Sequence, residues 1–200
     1  MLLKRADLKG PVRLAKSIGQ IKTASAVLAE QRAAFDKNQE YTFFLSHSYR
    51  DVGIDPDVLL GIKMKLEDQG YSCYVDWIDD PELDRAFVTK KTAARLRQRM
   101  NNCAALLYVV SENHHRSKWM PWELGFFDGQ EKRIAVVPAV GSSETAYRGQ
   151  EYLGLYPYLS EDPREGDQQI ELWVETCWSV YAPLYSWLEG MEPQPHRSHR

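Results

Sequence analysis

The feature that most limits what this chain can fold into starts at Tyr41, where short apolar, β-rich runs begin to alternate with helical segments. Residues 41–46 (Tyr-Thr-Phe-Phe-Leu-Ser) read as a strand buried on both faces. Asp55 then supplies a helix cap and Pro56 a first-turn proline. Val58, Leu59, Ile62 and Leu66 fall on one face of the helix they open, with Gly70 as its stop. Further strands are expected over 71–76, 104–110 and 133–138, with a short fifth over 152–157. Helices are expected over 89–100, after Ser117 as N-cap with Pro121 in the first turn, and as a Trp-rich closing helix over 170–188. Residues 77–87 read as a polar loop. Strands alternating with helices at this spacing call for right-handed crossovers and a parallel sheet covered on both faces. Sites in such sheets form beyond the C-terminal strand ends. His47, Trp77 and the 111–118 loop fall on that edge.

The flanks differ. Residues 1–38 are rich in Ala, Lys and Arg, and Ile18, Ile21, Ser25 and Leu28 recur at helical spacing. Lys4, Arg5, Lys9, Arg13, Lys16 and Lys22 make this stretch basic. The expected division is a helical arm over 1–38, packed on the domain or on a sister subunit, a domain over 39–190, and a disordered tail over 191–200. A chain of 200 residues with 44% hydrophobic and 26% charged residues suits one globular domain with an appendage. Its net charge of -3 gives no global drive toward DNA or an anionic membrane.

Cys73, Cys103 and Cys177 are far apart and odd in number, so they read as reduced, buried thiols and not as a disulfide frame or zinc site. The longest apolar run, 103–110, is too short to cross a bilayer, and no apolar stretch marks a secretory signal; the expected location is the cytoplasm. No metal site is expected. His114 and His115 are adjacent and point apart, and Asp76, Asp79, Asp80, Glu82 and Asp84 read as a solvated acidic loop. Arg95, Arg97 and Arg99 read as a solvated basic helix face, with phosphate contact or subunit pairing as the sharper reading. No GxGxxG, Walker A, GxSxG or CxxC pattern is present, which disfavours a dinucleotide-cofactor fold while leaving NAD open as a substrate.

Three segments together resemble a Toll/interleukin-1 receptor (TIR) domain. They are Phe44-Leu45-Ser46-His47-Ser48, Gly70-Tyr71-Ser72-Cys73-Tyr74-Val75-Asp76, and Ser117-Lys118-Trp119-Met120-Pro121-Trp122-Glu123-Leu124. The resemblance implies a flavodoxin-like α/β fold with a five-stranded parallel sheet and helices on both faces. It also implies one of two jobs: cleavage of the nicotinamide–ribose bond of NAD, or non-catalytic assembly through TIR–TIR contacts. Compact bacterial members resemble sensors in anti-phage defence that make a nucleotide signal for a separate effector protein. In the enzymes of this family a Trp stands four residues before the catalytic Glu, and Trp119 and Glu123 match that spacing.

The chemistry asks for little more. Departure of nicotinamide leaves an oxocarbenium-like ribose, which a carboxylate stabilises and an aromatic face helps to orient. On a helix, Trp119 and Glu123 share a face, and the dipole of the first turns favours an ionised carboxylate there. Glu123 is therefore the expected catalytic residue and Trp119 the aromatic wall. Phe44, His47 and Trp77 are secondary candidates for substrate contact, each with an ordinary packing role as its alternative. Trp122 is assigned to the core. No cofactor is expected beyond NAD as substrate, and assembly into a homo-oligomer is expected to gate activity.

Overall fold

The computed structural model describes residues 1–17, 39–80, 89–111, 114–139, 151–163, 169–177 and 179–196, with the side chains of 52–54 excepted. Ile18, Ile21, Lys22, Ser25, Leu28, Glu82 and Asp84 lie outside the described residues.

Eight strands among the described residues form one sheet in the order β2-β1-β3-β4-β5-β6-β7-β8. The expected parallel unit is its first part: β1 (Tyr41–Ser46), β2 (Cys73–Tyr74), β3 (Cys103–Val110), β4 (Arg133–Pro138) and β5 (Tyr158–Pro163) run in one direction. The in-register pairs Phe43↔Ala105 and Leu107↔Ala135 carry the hydrophobic pattern straight across the sheet. Because successive strand residues point to opposite faces, β1 supplies both layers of the core. Phe43 and Leu45 join Leu107 and Val109 against Leu59 and Ile62 of α3 (Pro56–Asp68). Phe44 joins Leu106 and Tyr108 against Leu96 and Met100 of α5 (Lys90–Asn101) and Met120 and Phe127 of α6 (Met120–Asp128). Thr89 caps α5 through a reciprocal capping box with Thr92.

The basic N-terminal stretch opens with α1 (Arg5–Ser17), which docks on α3 through buried Leu8, Val12 and Ala15. The two helices approach closely because Gly61 faces Leu8: a Cβ there would sit 2.2 Å from the Leu8 carbonyl oxygen. Lys9 pairs with Asp55 across the same junction, so Asp55 precedes α3 without capping it through its side chain. Upstream, the Glu161 amide donates to the Met1 carbonyl at 2.8 Å, tying the first residues to β5.

The remaining expectations need correction. The fifth strand is Tyr158–Pro163, while Glu151–Leu155 is a 3-10 turn in which Leu155 is 79% exposed and only Leu153 is buried. The closing helix is instead an antiparallel pair, β6 (Ile170–Cys177) and β7 (Val180–Pro183), followed by a five-residue α7 (Leu184–Leu188). Leu172 and Val174 enter the core two residues apart, and Trp and Val suit a pleated, half-buried surface better than a helix. Nor is the tail wholly irregular. Gln194–Pro195 forms β8 on β7, and the His196 ring stacks on Tyr181 at 3.8 Å; residues 197–200 lie outside the described residues. At the other end of the sheet, β2 is only two residues long because Asp76–Asp79 turns into a short helix, α4, where a loop was expected.

Cys73 and Cys103 are buried, and burial pushes each thiol up to about 12. Cys177 is exposed at the end of β6, contrary to the expectation for all three. No helix among the described residues is long and apolar enough to cross a membrane.

Candidate active site

Most soluble domains keep polar side chains out of the interior, so a cluster of buried ones calls for a reason. Here Ser46, His47, Ser48, Asp51, Asp76 and Glu123 are all buried around the C-terminal ends of β1 and β2. Each is held. Ser46 Oγ donates to Glu123 Oε2 at 2.6 Å, joining the last residue of β1 to the first turn of α6. His47 has Nδ1 3.1 Å from the Leu45 carbonyl oxygen and Nε2 3.3 Å from Asp76 Oδ1, the latter a close approach without hydrogen-bond geometry. Ser111, just beyond β3, donates to Asp51 Oδ2 at 2.6 Å and so ties α2 (Tyr49–Ile54) to the sheet edge.

The α6 terminus keeps its first-turn proline, but the residue in the N-cap position is Trp119 and not the expected Ser117. Ser117 Oγ accepts from the Met120 amide at 3.3 Å, and Pro121 sits where no helical amide partner is needed. This sets Trp119 and Trp122 edge to face, 5.2 Å between ring centroids, on the wall of a cavity of about 740 Å³. Ser48 and Tyr49 line another side and Ala93 and Arg97 of α5 a third. The volume lies in the range of small-molecule sites. A second concavity of about 430 Å³, at the opposite sheet edge around Arg133 and Trp187, has a mixed lining in which Arg133 already pairs with Glu192.

The five candidate residues divide. Glu123 and Trp119 share the start of α6, Trp119 in the cavity wall and Glu123 with 0% exposure, its carboxylate turned inward to Ser46. His47 belongs to the same edge through Asp76. Phe44 lies in the core, 0% exposed and stacked on Tyr74 at 5.2 Å, because its strand position points it at α6 and away from the cavity. Trp77 packs against the other face of the sheet, with the α1–α3 layer. Trp122, assigned to the core from sequence, is half-buried in the cavity wall.

The α5 arginines also divide. Arg99 and Arg95 leave the solvated face expected of them and bind Asp80, at 2.7 Å and 2.5 Å, while the Tyr74 hydroxyl donates to Asp80 Oδ2 at 2.9 Å. Burial, then the nearby Asp76 and Asp80, holds the Tyr74 hydroxyl well above its ordinary range. Asp79 caps the same turn by accepting from the Val75 amide at 2.6 Å, and burial pushes its carboxyl up to about 6. The acidic loop thus starts as a structural knot. Arg97, exposed between them, faces the cavity along with Arg50, Arg116 and Lys118. Sequence reading missed these last three, because the cations come from three separate segments and meet only in the fold. Among the described residues no group of three His, Cys, Asp or Glu side chains is placed to hold a metal ion.

Comparison with known proteins bears on this geometry. The chain is 44% identical over 167 residues to a protein of Bacillus cereus (strain MSX-D12), covering 83% of this chain and 84% of that one. That relative bears the provisional name ThsB′, a 3′ cyclic ADP-D-ribose synthase. A second relative, from Cytobacillus dafuensis and provisionally named the cyclic ADP-D-ribose synthase TIR2, is 30% identical over 87 residues. That match covers 43% of this chain and 22% of the relative. The chain belongs to the bacterial TIR-domain family. The TIR domain of the Toll-related receptor TRR-2 from Hydra magnipapillata aligns at 18% identity over 54% of this chain and 76% of that one, with a TM-score of 0.38, too distant to add to the case. No protein-family model matches the chain. The TIR assignment accounts for the parallel unit; the strands β6 to β8 extend this TIR sheet on one side.

Proposed function

We propose that this TIR domain cleaves the nicotinamide–ribose bond of NAD, with Glu123 as the catalytic carboxylate, and that the ribosyl cation is captured by the adenine base or a ribose hydroxyl of the same molecule, a hydroxyl giving up its proton, to close a cyclic ADP-ribose. The observation that carries the reading is Glu123 itself. A glutamate is almost never fully buried without a purpose, and this one is fixed by Ser46 at the C-terminal sheet edge, one residue beyond Trp122 of the cavity wall. The bond breaks with the electron pair leaving on the nicotinamide nitrogen, and the ribose carries the developing positive charge. A carboxylate held by a hydroxyl has little reorganisation to undergo as that charge appears. Trp119 and Trp122 supply a face for a flat ring, which fixes the leaving geometry.

In the structure described, Glu123 is fully buried and does not line the cavity, so turnover requires a rearrangement that exposes its carboxylate. That requirement fits an enzyme gated by assembly of TIR copies. The name of the 44%-identical relative supports cyclisation over hydrolysis, and a cyclic nucleotide fits a signal read by a separate effector in anti-phage defence.

The test is NAD turnover by the concentrated protein, with all nucleotide products separated and Glu123→Gln run alongside. Nicotinamide release with a cyclic product, lost in the variant, is expected. NAD left intact by protein driven into assemblies would overturn the reading in favour of a non-catalytic TIR scaffold.

A further inference from the structure

Several basic side chains elsewhere among the described residues pair with carboxylates. Lys9 pairs with Asp55, Lys65 with Glu161, Arg133 with Glu192, and both Arg95 and Arg99 with Asp80. The cavity differs. Arg50, Arg97, Arg116 and Lys118 all line it; among the described residues no carboxylate does, and none of the four pairs with another described residue. Four like charges around one concavity repel one another, and in a chain of net charge -3 there is no shortage of acids to neutralise them. The α6 terminus adds its positive dipole end to the same wall, and Trp119 and Trp122 add two ring faces.

The charge count exceeds what the substrate of the proposed reaction needs. The pyrophosphate of NAD carries about two negative charges, whereas a phosphomonoester on the adenosine ribose adds about 1.5 to 2 more. Three arginines offer forked donors suited to such a group, and an arginine is the usual partner of a ribose 2′-phosphate. We propose that this cavity selects dinucleotides bearing a 2′-phosphate, so that NADP and 2′-phospho-ADP-ribose bind it more tightly than NAD and ADP-ribose. This rests on the cavity being the dinucleotide site of the proposed reaction.

The experiment is calorimetric titration of the full chain with 2′-phospho-ADP-ribose and with ADP-ribose, at low and at high salt. The Arg97→Gln/Lys118→Gln double variant is titrated in parallel. Both substituted residues are exposed, and an unchanged thermal melt reports an intact fold. The 2′-phosphorylated ligand is expected to bind about tenfold tighter at low salt, the worth of one or two charge-assisted contacts. The preference narrows as salt screens the exposed charges, and it disappears in the double variant. Equal affinities, weaker binding of the phosphorylated ligand, no binding of either, or a preference that survives in the double variant each overturn the inference. Cleavage of NAD is scored separately. Cleavage without a 2′-phosphate preference sinks the selectivity alone; a preference without cleavage leaves the anion site standing and sinks the catalytic reading.

Discussion

Two buried glutamates, one on a helix against this sheet and one on a strand of it, each accept a hydrogen bond from a serine hydroxyl. Glu123 takes that of Ser46, and Glu175 takes that of Ser160 together with the Tyr158 hydroxyl at 2.9 Å. Burial and hydrogen bonding do not tell them apart. Their places do. Glu123 stands in the first turn of α6 at the C-terminal edge of the parallel strands, next to the cavity wall. Glu175 stands on β6, opposite Tyr158 in the antiparallel extension, and stitches two strands together. A carboxylate that knits strands and one that serves a reaction look alike until the topology says which faces the open edge of a parallel unit.

The largest expected effect tests that distinction. Glu123→Gln should lower NAD turnover by at least about a hundredfold to a thousandfold, the usual cost of removing one transition-state partner, while its buried bond from Ser46 weakens at a stability cost of only about 1 to 2 kcal/mol, read by a thermal melt. The second expectation contrasts the arginines. Asp80→Ala leaves buried Arg99 without its carboxylate and should cost about 3 kcal/mol, read as a lower urea midpoint. Arg97→Gln, two residues from Arg99 but facing the cavity, should shift that midpoint hardly at all.

Glu175→Gln is the converse of the first variant. It should cost about 1 to 2 kcal/mol through weakened buried hydrogen bonds and leave turnover unchanged. Turnover lost with Glu175 and kept without Glu123 would reverse the assignment. The smallest effect concerns Asp79. Its carboxyl titrates at about 6 in the fold, above the ordinary range, because burial disfavours the charge. Its contribution to stability is therefore full below about pH 4 and is lost as pH rises through about 6. Asp79→Asn should stabilise the protein by about 1 kcal/mol at pH 7.5, with the gain vanishing near pH 4, as followed by thermal melts across pH.

Much of the parallel unit was legible from residues alone. The unbroken apolar run at Tyr41–Ser46, Asp55-Pro56 before an apolar helix face, and Ser117 before Pro121 are local signals, each acting over a few residues through burial, capping or a missing amide. The 170–188 stretch misled because its tryptophans and leucines suit either period, and what decided for strands was β5 lying alongside to be paired. Phe44 and Trp77 show the same limit at the site. Both stand beside the right edge in sequence, yet the strand pleat sends one under α6, and the other packs with the α1–α3 layer.

The sequence by itself determined the first, third and fourth strands and the main helices of the parallel unit, and that Trp119 and Glu123 share the start of one helix, but not the place of the fifth strand or the short helix α4. Tertiary structure alone decided that Asp80 gathers Arg95 and Arg99, that Ser46 holds Glu123, and that Arg50, Arg97, Arg116 and Lys118 converge on one cavity with no ion-pair partner among the described residues. The physical reason is range: propensity, capping and periodicity act within a few turns of chain, whereas a charge finds its partner, or is denied one, only when distant segments are packed side by side.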